Sequence, residues 1–218
     1  MAGSRVPKGA LNYNNQEKKE KNFTYMNLGR SNCYNCNFVN SNFDFVSFRG
    51  AHLKTCSFIK CSFVGSEFVG SNLKGSKFKN AKFKDVIFEG ANLDCADFKD
   101  AEYENVVFLE CKLDNILNFD FGNEEITIYD EMPELEISNE LRDAVENAMS
   151  NEFIKKSRVL DTRTGSLHNL NLMILLDKFG EEAVINGLNR IYSDIDRDFF
   201  TLSYIIKLLN KYKNEIVL

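Results

Sequence analysis

Apolar residues along this chain recur at every fifth position without interruption from Phe23 to Leu113. The 19 positions of this register hold Phe, Leu, one Cys and one Tyr, and all are apolar. At the 44% apolar background of the chain, such a run has a chance probability of roughly 10⁻⁷. A second register lies two residues before each large one: from Ser31 to Cys111 all 17 positions are Ser, Ala, Cys or Val. Period five matches neither the 3.6 of a helix nor the 2.0 of a strand, so neither element could bury both registers. The chain must instead turn a corner once per pentapeptide.

A longer period sets the number of corners per coil. Leu53, Leu73, Leu93 and Leu113 recur at every fourth pentapeptide among large positions that are mostly Phe, and Gly50, Gly70 and Gly90 precede three of them at a constant spacing. Four pentapeptides therefore form one coil, and inward residues stack in columns such as Phe38/Phe58/Phe78/Phe98. Nearly five coils at about 4.8 Å each predict a rod roughly 23 Å long.

The segments Gly90-Ala91-Asn92-Leu93 and Ala96-Asp97-Phe98 resemble the Ala-Asp/Asn-Leu-x-x signature of the pentapeptide-repeat family. The resemblance implies a mainly β fold, a right-handed quadrilateral β-helix with the large residue and the small one two before it pointing inward. Phe in place of Leu at most central positions departs from the family pattern. So does an irregular first coil, with Lys21 and Met26 at small positions and Cys33 at a central one.

The expected organisation is a flexible tail over residues 1–21, the solenoid over 22–116, a connector over 117–136 and an α-helical capping or oligomerisation region over 137–218. Within the connector, Ile126 and Ile128 alternate with Thr127 and Tyr129 and allow one short strand. Ser138 can cap a helix carrying Leu141, Val145 and Met149. Residues 167–179 form an apolar helix ended by Gly180, 181–192 an amphipathic one, and 196–213 a last helix with a wide apolar stripe. The open end of a solenoid is an unpaired edge, which gives the helices a reason to cap it.

Composition narrows the chemistry. A net charge of −5 excludes a whole-molecule basic footprint for nucleic acid. No apolar run approaches the length of a membrane span or a secretory leader, so a cytoplasmic protein is expected. Cys33 and Cys36 form a C-x-x-C, yet these two, Cys56, Cys61 and Cys111 fall on inward registers and read as small core residues; only Cys95 points outward. Asp194, Asp196 and Asp198 imitate the start of a calcium loop, but Phe199 and Ile205 stand where Gly and Glu are required, and charge at a helix N-terminus explains the acids. No residue set nominates a catalytic, cofactor or metal site. His52, just before a central Leu, is assigned a turn-stabilising role.

The outward residues nominate surfaces instead. Lys74, Lys77, Lys79, Lys82 and Lys84 form a basic run, and Asp94, Asp97 and Asp100 belong to the acidic stretch that follows it. Val69, Ile87, Val107 and Leu109 share one outer face, an apolar patch of the kind that marks an interface, expected to be covered by the chain's own C-terminal helices or by a second copy. These residues point to a non-enzymatic binding or scaffold protein with a protein partner, or with a second copy held through the C-terminal helices or the apolar face. Neither a membrane nor direct nucleic-acid binding is expected. The family resemblance adds an alternative, a DNA mimic that protects topoisomerases as quinolone-resistance members do. Against it, residues 21–116 hold 12 Lys+Arg and 11 Asp+Glu. Enzyme activity in the helical region is a third class that no residue set supports.

Overall fold

The computed structural model describes residues 9–216, which fall into two compact units divided after Glu131. The first eight residues of the expected tail lie outside the described residues. The first unit is a quadrilateral β-solenoid of about six turns. Its strands are β1 (Asn12–Asn14), β2 (Asn32–Tyr34), β3 (Ser62–Val64), β4 (Glu67–Val69), β5 (Lys82–Glu89), β6 (Glu102–Leu109) and β7 (Ile126–Tyr129). All pairing between these strands is parallel at an offset of four pentapeptides, from Asn12↔Asn32 to Leu109↔Tyr129.

Why the chain turns every five residues is visible in its dihedrals. Every fifth residue from Asn15 to Glu110 has a positive φ, and only Gly50, Gly65, Gly70, Gly75 and Gly90 among them are glycine. Several of these corners close with a turn hydrogen bond from the residue after the corner back to the central residue, such as Ala51 N–H to Phe48 O at 2.9 Å. The residue after a central one has its N–H outside the ladder. An Asn or Asp two positions earlier accepts from it, as Asn37 does from Val39 at 3.1 Å and Asn92 from Asp94 at 3.1 Å. That is the physical content of the signature's Asn/Asp. His52 occupies such a position, but its exposed side chain makes no such bond among the described residues, so the expected turn-stabilising role is not seen.

Inside, Phe rings stack along the axis almost parallel: Phe48–Phe68, Phe68–Phe88 and Phe88–Phe108 lie 4.6 Å apart, with interplanar angles of 3°, 6° and 2°. The small register has a second task. Ser66 accepts from Val46 N–H at 3.3 Å and donates to Phe43 O, and Ser76 does the same for Cys56 N–H and Leu53 O. Cys61 and Cys111 donate their thiols to the equivalent carbonyls, Phe38 O at 3.0 Å and Phe88 O at 3.4 Å. A cysteine here is therefore a weak serine as well as a filler. Burial pushes the Cys56 and Cys61 thiols up to about 12, and those of Cys33 and Cys111 to about 11.

The ladder extends past both ends of the stretch expected from the apolar period. Residues 12–20 pair with the following coil although the central position holds Lys18, because the ladder is made by backbone and tolerates one poor core residue. At the other end β7 adds to β6, and Phe119 lies edge-on over Phe98, Tyr103 and Phe108 at 5.7, 6.0 and 5.2 Å. The solenoid thus supplies an aromatic lid for its own last coil.

The second unit contains α1 (Asn139–Met149), α2 (Glu152–Ser157), α3 (Asn169–Phe179), α4 (Glu181–Asp194) and α5 (Leu202–Ile216). Ser138 caps α1 by accepting from Leu141 N–H at 3.0 Å, and the buried His168 caps α3. Helix α4 packs on α1, α3 and α5. Gly187 permits the close approach to α5, since a Cβ there would stand 1.9 Å from Leu209 Cδ2. Helix α5 begins at Leu202 and not near 196, so the three aspartates are not at its N-terminus. They answer cations instead: Asp194 pairs with Arg190, Asp196 with Arg197 and Asp198 with Lys156. No helix among the described residues is long and apolar enough to cross a membrane.

Candidate interaction surfaces

Each coil presents outward side chains at the positions flanking its central residues, and the constant offset of one coil lines them up along the axis. The basic run proves to be one coil wide. Lys74, Lys77, Lys79, Lys82 and Lys84 wrap three successive faces, and acids of the next coil lie directly on three of them. Lys74 pairs with Asp94 at 2.6 Å and Lys82 with Glu102 at 3.0 Å, and Lys84 pairs with Glu104. The hydrogen bond between Lys74 and Asp94 raises the lysine's pKa and lowers that of the aspartate, which Asn115 also supports. Much of the charge alternation is therefore taken up in exposed pairs between neighbouring coils, where solvent screening keeps each contribution small.

What remains unpaired is more selective. Lys77 and Lys79 are exposed and have no ion pair among the described residues. Asp97 accepts from the Asn118 amide at 2.7 Å and from Lys99 N–H at 3.0 Å, and so belongs to the scaffold. Asp100 is exposed without an ion pair among the described residues.

The apolar group is brought together on one face, in two outward columns: Glu67/Ile87/Val107 and Val69/Glu89/Leu109. It is not an exposed patch. Ile87, Val107 and Leu109 are 7%, 8% and 0% exposed, and Val69 is half-buried.

The segment read as a connector carries surface features that the sequence reading passed over. Leu117, Phe121 and Ile128 are exposed, and acids crowd the same coil. The missed signal was that Ile126 and Ile128 resume the two inward registers after two polar central positions, Asn118 and Asn123.

Across the whole solenoid the charge is bipolar. Residues 9–84 hold 12 Lys+Arg against 4 Asp+Glu, and residues 85–131 hold 2 against 14. Hydrogen-bonded coils fix these groups on a rigid frame, so the two halves present fields of opposite sign at fixed separation.

Residues 22–54 and 53–90 match the family model of pentapeptide repeats, in 8 copies. No curated protein matches the chain. Among solved structures, the pentapeptide repeat protein Rfr23 from the cyanobacterium Cyanothece 51142 is 19% identical, with 49% of this chain and 87% of that one covered and a TM-score of 0.47. A trypsin-treated form of QnrB1, a plasmid-mediated fluoroquinolone resistance protein, is 15% identical over 65% of this chain and 96% of that one, at a TM-score of 0.29. A pentapeptide repeat protein from the thylakoid lumen of Arabidopsis thaliana is 18% identical over 73% and 88%, at 0.24. With scores below 0.5, these likenesses add nothing to the assignment, which rests on the repeat itself.

Proposed function

We propose that this chain, whose residues 22–90 match the family model of pentapeptide repeats, works by binding, presenting rigid solenoid faces to a protein partner. The observation that carries this reading is the bipolar frame: 12 Lys+Arg against 4 Asp+Glu in residues 9–84, then 2 against 14 in residues 85–131. Charges held on a fixed grid select a partner with complementary patches at the same spacing, and they orient it as it approaches. A photo-crosslinking residue at Lys79 or Asp100, and separately at Lys178 on α3, tests the idea in extract of the native cell. Cross-links to one protein through the solenoid positions, lost at about 0.5 M salt, are expected. Cross-links through α3 alone would refute it.

The acidic stretch of residues 85–131 favours a second reading, a DNA mimic that protects a topoisomerase. The basic half of the same solenoid opposes it, because it would repel the cationic DNA-binding surface that the acidic half attracts. Relief of quinolone inhibition in a gyrase supercoiling assay would reverse this ranking.

A further inference from the structure

We propose that the C-terminal end of the solenoid is a strand-addition site for an extended segment of a protein partner in which apolar and basic residues alternate. The proposal rests on the binding-module reading above and names where and what the module binds.

Backbone geometry supplies the first observation. Along the solenoid the N–H of a central residue donates to the following coil, as Leu53 does to Asn72 O at 2.7 Å, and the carbonyl two residues earlier accepts from it, as Ala51 O does from Asn72 N–H at 2.8 Å. By the same rule the Ile128 N–H and Ile126 C=O face the side of β7 opposite β6. No strand among the described residues pairs with β7 there. An open, regular edge is a template for one more strand.

Side chains at this end supply the second. Of the six exposed large apolar residues among the described residues, Leu117, Phe121 and Ile128 lie in this last coil, with Phe121 61% exposed. Phe121 leans on Phe119 at 4.9 Å, which continues the aromatic lid outward.

Charge selects the occupant. Residues 100–131 hold 10 Asp+Glu against one Lys, and every one of these acids is exposed. Glu102 and Glu104 are paired with lysines; the other eight have no ion pair among the described residues. A second copy docked end to end would set acids against acids, and nucleic acid would bring phosphates to them. A basic strand instead meets the acids with one set of side chains. The alternate set covers Phe119, Phe121 and Ile128.

The test uses the full chain and a short fluorescein-labelled peptide of alternating valine and lysine, followed by fluorescence anisotropy. Binding is expected, and N-methylation of every second peptide amide, which keeps charge and removes the ladder bonds, should weaken it about tenfold or more. The double variant Glu124→Lys/Glu125→Lys should weaken it by a similar factor at low salt, and a valine–glutamate peptide should not bind. Unchanged thiol protection of Cys33 and Cys61 establishes that the variant is folded. No binding, equal binding of the N-methylated peptide, or equal binding by the double variant overturns the proposal. So does sedimentation showing an end-to-end dimer that the peptide dissociates. If the proposal falls while Lys79 still cross-links a partner, the binding-module reading stands on another surface; if those cross-links are absent too, both fall.

Discussion

Replacing Phe78 by alanine should be among the most damaging single changes in the solenoid. The ring is fully buried, stacked between Phe58 at 5.2 Å and Phe98 at 4.8 Å, and edge-on to Phe63 at 6.0 Å and Phe83 at 5.6 Å. Truncating a buried Phe costs about 3–5 kcal/mol when the surroundings cannot collapse into the space. Here they cannot, because ladder bonds such as Phe78 N–H to Asp97 O at 2.7 Å and Lys77 N–H to Cys56 O at 2.9 Å hold the wall in place. Two stacked neighbours lost together put the expectation in the upper half of that range. Lys79→Ala, one residue away and exposed, should stay within about 0.5 kcal/mol. Urea unfolding read by thiol labelling isolates the effect, since all six cysteines lie between residues 33 and 111, in the first unit. Cys95 should react in the folded protein, and Cys33, Cys36, Cys56 and Cys61 only when the core opens. Equal midpoint shifts for the two variants, or a loss under about 1.5 kcal/mol for Phe78→Ala, would show that the inward phase or the rigidity of the wall is misjudged.

Three further outcomes follow from the same packing. Ser66→Ala strands Val46 N–H and Phe43 O in the core and should cost about 1–3 kcal/mol in urea denaturation, whereas Ser66→Cys should cost less, because Cys61 fills the equivalent role. Tyr103→Phe removes a buried hydroxyl that has no hydrogen-bond partner among the described residues and should stabilise by about 1 kcal/mol; a lower melting temperature would mean that the hydroxyl is satisfied. Alkaline pH should destabilise the fold: the thiols of Cys33, Cys56, Cys61 and Cys111 are raised by burial from 9.0 to about 11–12, so the unfolded chain loses protons first as pH passes 9. Their contribution is complete below pH 9 and is lost between 9 and about 11–12, at up to about 1.4 kcal/mol per pH unit for each thiol. Cys61→Ser should reduce that slope, and equal unfolding midpoints at pH 8 and 10 in the parent chain would refute the assignment.

The repeat was legible because its constraint is local and iterated. One inward large residue and one small residue per pentapeptide dictate a corner, and the recurrence of Leu and Gly at every fourth pentapeptide dictates four corners per coil; the stacked Phe columns and the positive φ at every fifth residue answer both. Ser138 before α1 and Gly180 after α3 were readable for the same reason, since a cap is decided by a few adjacent residues. The start of α5 was not, because Phe199 prolongs the apolar stripe of Leu202, Ile205 and Leu209 and the acids before it imitate a helix N-terminus, whereas they find cations at Lys156 and Arg197.

The candidate surfaces divide along the same line. Sequence placed Lys74 through Lys84 and Asp94 through Asp100 outward, and the alternation of the pentapeptide alone determines that. Only the stacking of coils decided which of those charges are spent on each other, because Lys74 meets Asp94 a full coil further along the chain. Likewise, the sequence grouped Ile87, Val107 and Leu109 on one face, but accessibility is a property of the whole folded chain, and there they are buried. The exposed end at Phe121 and Ile128 emerged from the structure for the complementary reason: two polar residues at central positions hide the last coil from an apolar period, while the backbone ladder, which needs no particular side chain, carries on through it.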